Sequence, residues 1–219
     1  MKHRFSLDPY LTFLQSRNIE LDSGQICQMA RYYDLLLDWS QRQNLFAVGD
    51  RPFLLERHFL PCLCFYEFAR YRNPTSIADV GSGAGFPGVI LQIMMPELSV
   101  QFIDSSRKKC LFLQEVSETL QLSSRIIHCR VEDVVSSGVL MVDMVVARFV
   151  SDVEDLWSWT MQMIKPSGFL MVQKGEQYTE LLTGMRAIQS LKPDAVWKRT
   201  VPSLMSKYFI EVEKEDVRK

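Results

Sequence analysis

The sequence predicts an α/β protein: a mostly parallel sheet with covering helices, entered through a helical preface. Three observations carry this. The apolar periodicity is helical over about the first 70 residues; after "RNPTS" it changes to short apolar runs alternating with helical stretches; and "GSGAGFPG", from Gly81, follows the first of those runs. Strands that alternate with helices are re-entered from the same end, so they lie parallel.

The preface comes first. Asp22 and Ser23 can cap "GQICQMARYYDLLLDWS", in which Ile26, Met29, Ala30, Tyr33 and Leu37 recur at helical spacing. A second helical stretch runs from Pro52 to Phe68, where Pro61 removes a hydrogen bond and should kink or split the helix. Then come a strand at Ile77 to Val80, a helix at Pro87 to Met95, a strand at Val100 to Asp104 and a helix at Lys108 to Leu120. The alternation continues with strands at Arg125 to Cys129 and Met144 to Ala147, a helix around Asp152 to Ile164, and "FLMVQKG" from Phe169, introduced by the turn "KPSG". The tail, "VWKRTVPSLMSKYFIEVEKE", suggests two more strands joined by a polar turn. Residues 1–72 are expected to be a helical extension packing on the core, and residues 73–219 the ligand-binding domain.

Composition narrows the function. The 219 residues, 47% apolar, suffice for one substantial core, and a formal charge of −1 removes any global cationic field. Contact with nucleic acid must come from local basic groups. Cys27, Cys62, Cys64, Cys110 and Cys129 are odd in number and form no CxxC pair, which fits reduced thiols. His3, His58 and His128 lack ligand spacing, so no protein-bound metal is expected. The start, "MKHRFSLDPYLTF", has no signal-peptide core, and no stretch approaches the ~18 apolar residues of a membrane span. A cytoplasmic monomer with no membrane partner is expected.

The glycines carry the chemistry. In a doubly wound sheet the turn after the first strand is the usual ligand site, and Gly81, Gly83 and Gly85 lie on it with GxGxG spacing. A tight structural turn explains such a loop nearly as well. Two aspartates strengthen the ligand reading: Asp79 precedes the glycines, and Asp104 ends the second strand, where a carboxylate accepts from ribose hydroxyls. A dinucleotide and S-adenosylmethionine both carry that ribose. Asp79 would repel a pyrophosphate and attract the cationic end of S-adenosylmethionine.

"DVGSGAG", the acidic end of the second strand and "KPSG" before the fifth together resemble class I methyltransferases, which implies a Rossmann-like, seven-stranded, mostly parallel sheet. From Tyr32 to Gly175, about two thirds of the chain, the sequence further resembles the glucose-inhibited division protein B family, bacterial enzymes that methylate guanine N7 of 16S ribosomal RNA. The matching stretches are "ADVGSGAGFPG", "DSSRKKCLFL", "CRVED", "VVARF", "QKG", "NLFAV" and "RHFL". The resemblance implies that Asp79, Gly81, Ser82, Gly83, Gly85, Phe86, Asp104 and Ser105 hold S-adenosylmethionine, with Val131 and Glu132 beside its adenine. It sets Arg148 at the transferable methyl group, as both cofactor and catalytic residue, and His58 in the substrate pocket, the competing account of His58 being helix packing. The family usually has Asp-Ser where this chain has Pro61 and Cys62, often has Asn where it has Ser40, and has a basic position that appears here as Lys207.

Guanine N7 carries a lone pair and no proton, so alignment suffices and no general base is required. "ARFV" after the fourth strand departs from the Asp/Asn-Pro-Pro-aromatic pattern of amine methyltransferases. For 16S ribosomal RNA or the small ribosomal subunit, Arg107, Lys108 and Lys109 are candidates to meet phosphate, and Phe149 with Arg148 to receive an extruded base. Arg125, Arg130, Lys198 and Arg199 are further local basic groups. The alternatives are a small-molecule methyltransferase, a non-catalytic methyltransferase-like RNA-binding protein and, fitting less well, a dinucleotide oxidoreductase.

Overall fold

Asp22 begins the longest helix by a capping box: its side chain accepts the Gln25 backbone N–H at 2.8 Å, and Gln25 Oε1 accepts the Asp22 N–H at 3.0 Å. The computed structural model describes residues 5–136, 140–174, 196–200 and 206–213. A 3₁₀ turn at Asp8–Tyr10 and α1 (Leu11–Ser16) precede this helix, α2 (Ser23–Trp39). Its buried face is Met29, Tyr32, Tyr33 and Leu36, while Ile26 is exposed. The face is thus rotated from the expected one, because Tyr32 is drawn inward to donate from its hydroxyl to the Ala84 carbonyl.

The stretch around Pro61 is split into segments of different hydrogen-bond type. A 3₁₀ turn (Val48–Phe53) leads to a π-helical turn (Leu55–Phe59) and then to α3 (Leu60–Arg72), with Pro61 in its first turn. Proline has no N–H, so Pro61 cannot donate to the Arg57 carbonyl four residues earlier. That carbonyl borders the site described below.

The sheet contains β1 (Ser76–Val80), β2 (Ser99–Asp104), β3 (Ser124–His128), β4 (Val142–Arg148), β5 (Ile164–Lys174), β6 (Val196–Thr200) and β7 (Ser206–Glu213). Their order is β3-β2-β1-β4-β5-β7-β6, parallel from β3 to β5, with β7 antiparallel to both β5 and β6. Between the strands run α4 (Gly88–Met94), α5 (Arg107–Leu120), α6 (Val131–Ser136) and α7 (Val153–Thr160). Residues 201–205, the expected polar turn, lie outside the described residues.

Alternate strand residues feed two cores. Ile77, Phe102, Met144, Val146, Phe169 and Met171 pack with α2–α5, while Ala78, Ile103, Val145, Ala147, Leu170 and Val172 pack with α6 and α7. Helices on both faces of a parallel sheet make the fold doubly wound.

Two boundaries differ from expectation. Ile164 and the "KPSG" residues belong to β5 rather than to a helix end and a turn, because the strand absorbs them in a register shift between Val142 and Met144, with Ser167 at φ 63°. Asp143 anchors that irregular end. Its carboxylate accepts from Lys165 Nζ at 2.8 Å and from the backbone and hydroxyl groups of Thr75 and Ser76. Burial works against its charge, but those bonds prevail and hold the carboxyl well below the usual carboxylate range.

Among the described residues no helix is long and apolar enough to cross a membrane.

Candidate active site

Strand order reverses on either side of β1, with β2 and β3 one way and β4 and β5 the other. Ligands of open α/β sheets bind outside the carboxyl ends of the strands at such a point. The glycine turn occupies it. Gly81, Gly83 and Gly85 all have positive φ. At Gly85, with φ 91°, a Cβ would also lie 2.6 Å from Val89 Cγ2 and 3.1 Å from Tyr32 Oη. Gly88 opens α4 so tightly that a Cβ would lie 2.5 Å from Phe102 Cε1 and 2.6 Å from Asp79 Oδ2.

The loop is pinned from beneath. Ser82 Oγ donates to the Asp79 carbonyl at 2.6 Å, Gly83 N–H donates to Asp104 Oδ2 at 2.8 Å, and Ser106 N–H donates to Asp104 Oδ1 at 2.8 Å. Each Asp104 oxygen therefore accepts one backbone donor and keeps capacity for another, as a ribose diol requires. Lys109 Nζ lies 3.9 Å from Asp104 Oδ2, so this lysine sits on the cleft side of α5. Arg107 and Lys108 are exposed and do not line the cleft.

Asp79 is fully buried and holds the start of α4, with Oδ2 accepting the Gly88 N–H at 2.8 Å and Oδ1 without a hydrogen-bond partner among the described residues. Burial pushes its carboxyl up to about 7, against the opposing Gly88 bond and the Arg148 charge. The folded state keeps a proton that the unfolded chain releases near pH 4, so stability falls as pH rises from about 4 to about 7 and then levels off. Asp79→Asn is expected to flatten that slope in thermal unfolding of the ligand-free protein; an unchanged slope would assign it to other groups.

The cleft above the loop measures about 510 Å³, within the ~300–1,000 Å³ range of small-ligand sites. Gly81, Ser82, Gly83, Phe86, Asp104 and Ser105 line one part of it, and Val131 and Glu132 close the β3 end. His58, Lys109, Arg148 and Phe149 complete the expected residues that it brings together; Asp79 and Gly85 support it without lining it. Leu45, Cys129, Val150 and Trp159 also line it; the first three fall in the stretches "NLFAV", "CRVED" and "ARFV", while Trp159 carried no signal of its own.

Arg148 ends β4 with its guanidinium turned toward the helical layer. Nη2 approaches the Arg57 carbonyl at 3.4 Å, and Nη1 approaches the His58 carbonyl at 3.5 Å and Cys62 Sγ at 3.4 Å. The departure at Cys62 thus acquires a physical meaning: it supplies a sulfur that, with the Arg57 and His58 carbonyls, faces the same cation. The guanidinium also lies 5.5 Å from the Phe86 ring centroid and 5.7 Å from that of Phe149, and Nε is buried without a hydrogen-bond partner among the described residues. Phe149 holds φ 54° and is 55% exposed, an aromatic face at the mouth of the cleft.

His58 is oriented by Asp50, a residue without a sequence signal. Its Nε2 lies 2.9 Å from Asp50 Oδ2, and its ring packs 5.3 Å from Phe86 and 5.9 Å from Phe46. Asp50 also pairs with Arg57. Burial raises the Asp50 carboxyl less than Arg57 and His58 lower it, leaving it below its ordinary value. His58 therefore both packs and borders the cleft. Among the described residues no group of three or more His, Cys, Asp or Glu could hold a metal ion.

Comparison with known proteins bears on this geometry. Residues 25–205 match the family model described as rRNA small subunit methyltransferase G. A ribosomal RNA small subunit methyltransferase G of Alkaliphilus oremlandii is 35% identical over 171 residues, 77% of this chain and 72% of that one. One from Leuconostoc mesenteroides is 31% identical over 216 residues, covering 95% and 90%. The fold is similar to that of the O-methyltransferase from Bacillus cereus in complex with SAH, with TM-score 0.63, 10% identity and coverage of 94% and 97%. It is also similar to an O-methyltransferase family protein from Burkholderia thailandensis, with TM-score 0.55, 11% identity and coverage of 89% and 72%.

Proposed function

This chain belongs to the rRNA small subunit methyltransferase G family, and from that premise we propose that it methylates guanine N7 in 16S ribosomal RNA, using S-adenosylmethionine. The observation that carries this reading is the pairing, in one cleft, of a ribose-binding half with a half suited to a flat base. The first half is the glycine loop and Asp104; the second is Arg148 with the exposed ring of Phe149.

The residues present fit the cofactor. Close backbone approach at the glycines, spare lone pairs on Asp104, and Val131 and Glu132 at the β3 end match the methionine end, ribose and adenine in that order. The cofactor supplies a methyl group on a sulfonium that leaves as a neutral thioether. The protein's part is positioning. Phe149 offers a stacking face, and the Arg148 guanidinium can donate to guanine O6, next to N7, which fixes the reacting nitrogen in the plane of the cleft. No side chain has to take a proton. Arg107 and Lys108, exposed at the start of α5 outside the cleft, are the groups that would meet phosphate. The extension spanning residues 1–72 falls within the same proposal, as the part that carries His58 to the pocket.

The test is methyl transfer from labelled S-adenosylmethionine to small ribosomal subunits from a strain lacking this protein, followed by mass mapping. Label on one guanine N7 is the expected result. Label on another atom would overturn the N7 assignment, and no label with cofactor binding intact would overturn the substrate.

A further inference from the structure

The polar row to which Arg148 belongs extends one strand beyond the cleft. On the face toward the helical layer, β4 presents Met144, Val146 and then Arg148, and β5 presents Phe169, Met171 and then Gln173. The ladder pairs Arg148 directly with Gln173. On β1, Asp79 follows Ile77 on that same face. Three neighbouring strands thus change from apolar to polar at their carboxyl ends.

Each of the three leaves a buried polar atom without a hydrogen-bond partner among the described residues: Asp79 Oδ1, Arg148 Nε, and both carboxamide atoms of Gln173. Gln173 is 0% exposed. A carboxamide held dry with nothing to bond is destabilising, and a hydrocarbon there would simply continue the core. Packing gives no reason for it; a ligand does.

The sheet says which ligand group could reach it. From β1 the ribose-binding residues lie toward β2 and β3, so a methyl acceptor must approach from the β4 and β5 side. Adjacent strands are about 4.8 Å apart. A purine whose N7 faces the methyl group at the β1–β4 crevice turns O6 toward Arg148 and its N1 edge, beyond O6, toward β5. We infer that Gln173 is a specificity-determining residue whose carboxamide oxygen accepts from the N1–H and N2 amine of the target guanine, once the base draws Arg148 off its carbonyl seat. Adenine mismatches both residues, since it presents an amine in place of O6 and an acceptor at N1. This inference rests on the guanine-N7 reading above.

The test compares the unsubstituted protein with Gln173→Met, which keeps the length and removes both polar atoms. On small ribosomal subunits lacking the modification, kcat/KM is expected to fall at least about tenfold. Cofactor affinity should stay within about twofold, and the thermal midpoint should not drop, since an unmet polar group has been removed. Subunits reassembled with inosine at the mapped position, which lack the N2 amine, should slow the unsubstituted protein and leave the variant's rate unaltered. A variant as active as its parent, or one that loses cofactor affinity in parallel with rate, overturns the inference alone. Absence of transfer by the unsubstituted protein overturns the RNA reading and this inference together.

Discussion

Arg148→Met is expected to lower methyl transfer to small ribosomal subunits by at least about a hundredfold, because misplacing a reacting atom by about 1 Å can cost that much. The variant keeps an unbranched stem against Phe86 while removing every donor that could hold guanine O6. Its structural cost should be small. The present contacts to the Arg57 and His58 carbonyls are long, at 3.4 and 3.5 Å, and such bonds contribute about 1 kcal/mol at most. Arg148→Lys retains the charge without the planar fork and should recover only part of the rate. Single-turnover kinetics at saturating cofactor make the check. A rate within about threefold of the parent would remove Arg148 from the reacting centre.

Asp104→Ala should have the largest effect on cofactor binding. Its carboxylate accepts the Gly83 and Ser106 N–H groups at 2.8 Å and retains the lone pairs that a ribose diol would use. Hydrogen bonds to a charged acceptor contribute about 1.5–3 kcal/mol each, so affinity should fall by about tenfold to about 150-fold for each ribose bond lost. The same change frees two backbone donors at the glycine loop, and the thermal midpoint should drop by about 2–4 °C for each kcal/mol lost in a chain of this length. Titration calorimetry beside thermal unfolding separates the two effects. Full affinity in a folded variant would take Asp104 out of the site.

Much of this was legible in the chain because the governing signals are local. Asp22 and Gln25 cap a helix through their own side chains; Gly81, Gly83 and Gly85 supply positive φ; and strand runs reveal themselves by alternation. Asp104 was legible for the same reason, as an acidic residue at a fixed distance past a glycine turn. Other features depend on partners remote in sequence. Asp50 has meaning only beside Arg57 and His58, Tyr32 turns inward only because Ala84 presents a carbonyl, and Lys109 parts from Arg107 and Lys108 only when α5 is laid against the sheet. Gln173 opens the matching stretch "QKG", but that it faces Arg148 is visible only in the strand register.

By itself, then, the sequence determined the order of strands and helices, the glycine turn and the acidic end of β2, since backbone geometry and short-range spacing set all of these. Only the tertiary structure decided that Asp79 lies beneath the loop instead of lining the cleft, that the Arg57 carbonyl and Cys62 Sγ face Arg148, and that Arg148 and Gln173 stand opposite each other on neighbouring strands. The physical reason is that burial and hydrogen-bond satisfaction are properties of surroundings. A side chain's type says what bonds it can make, and only its packed neighbours say which of them remain unmet.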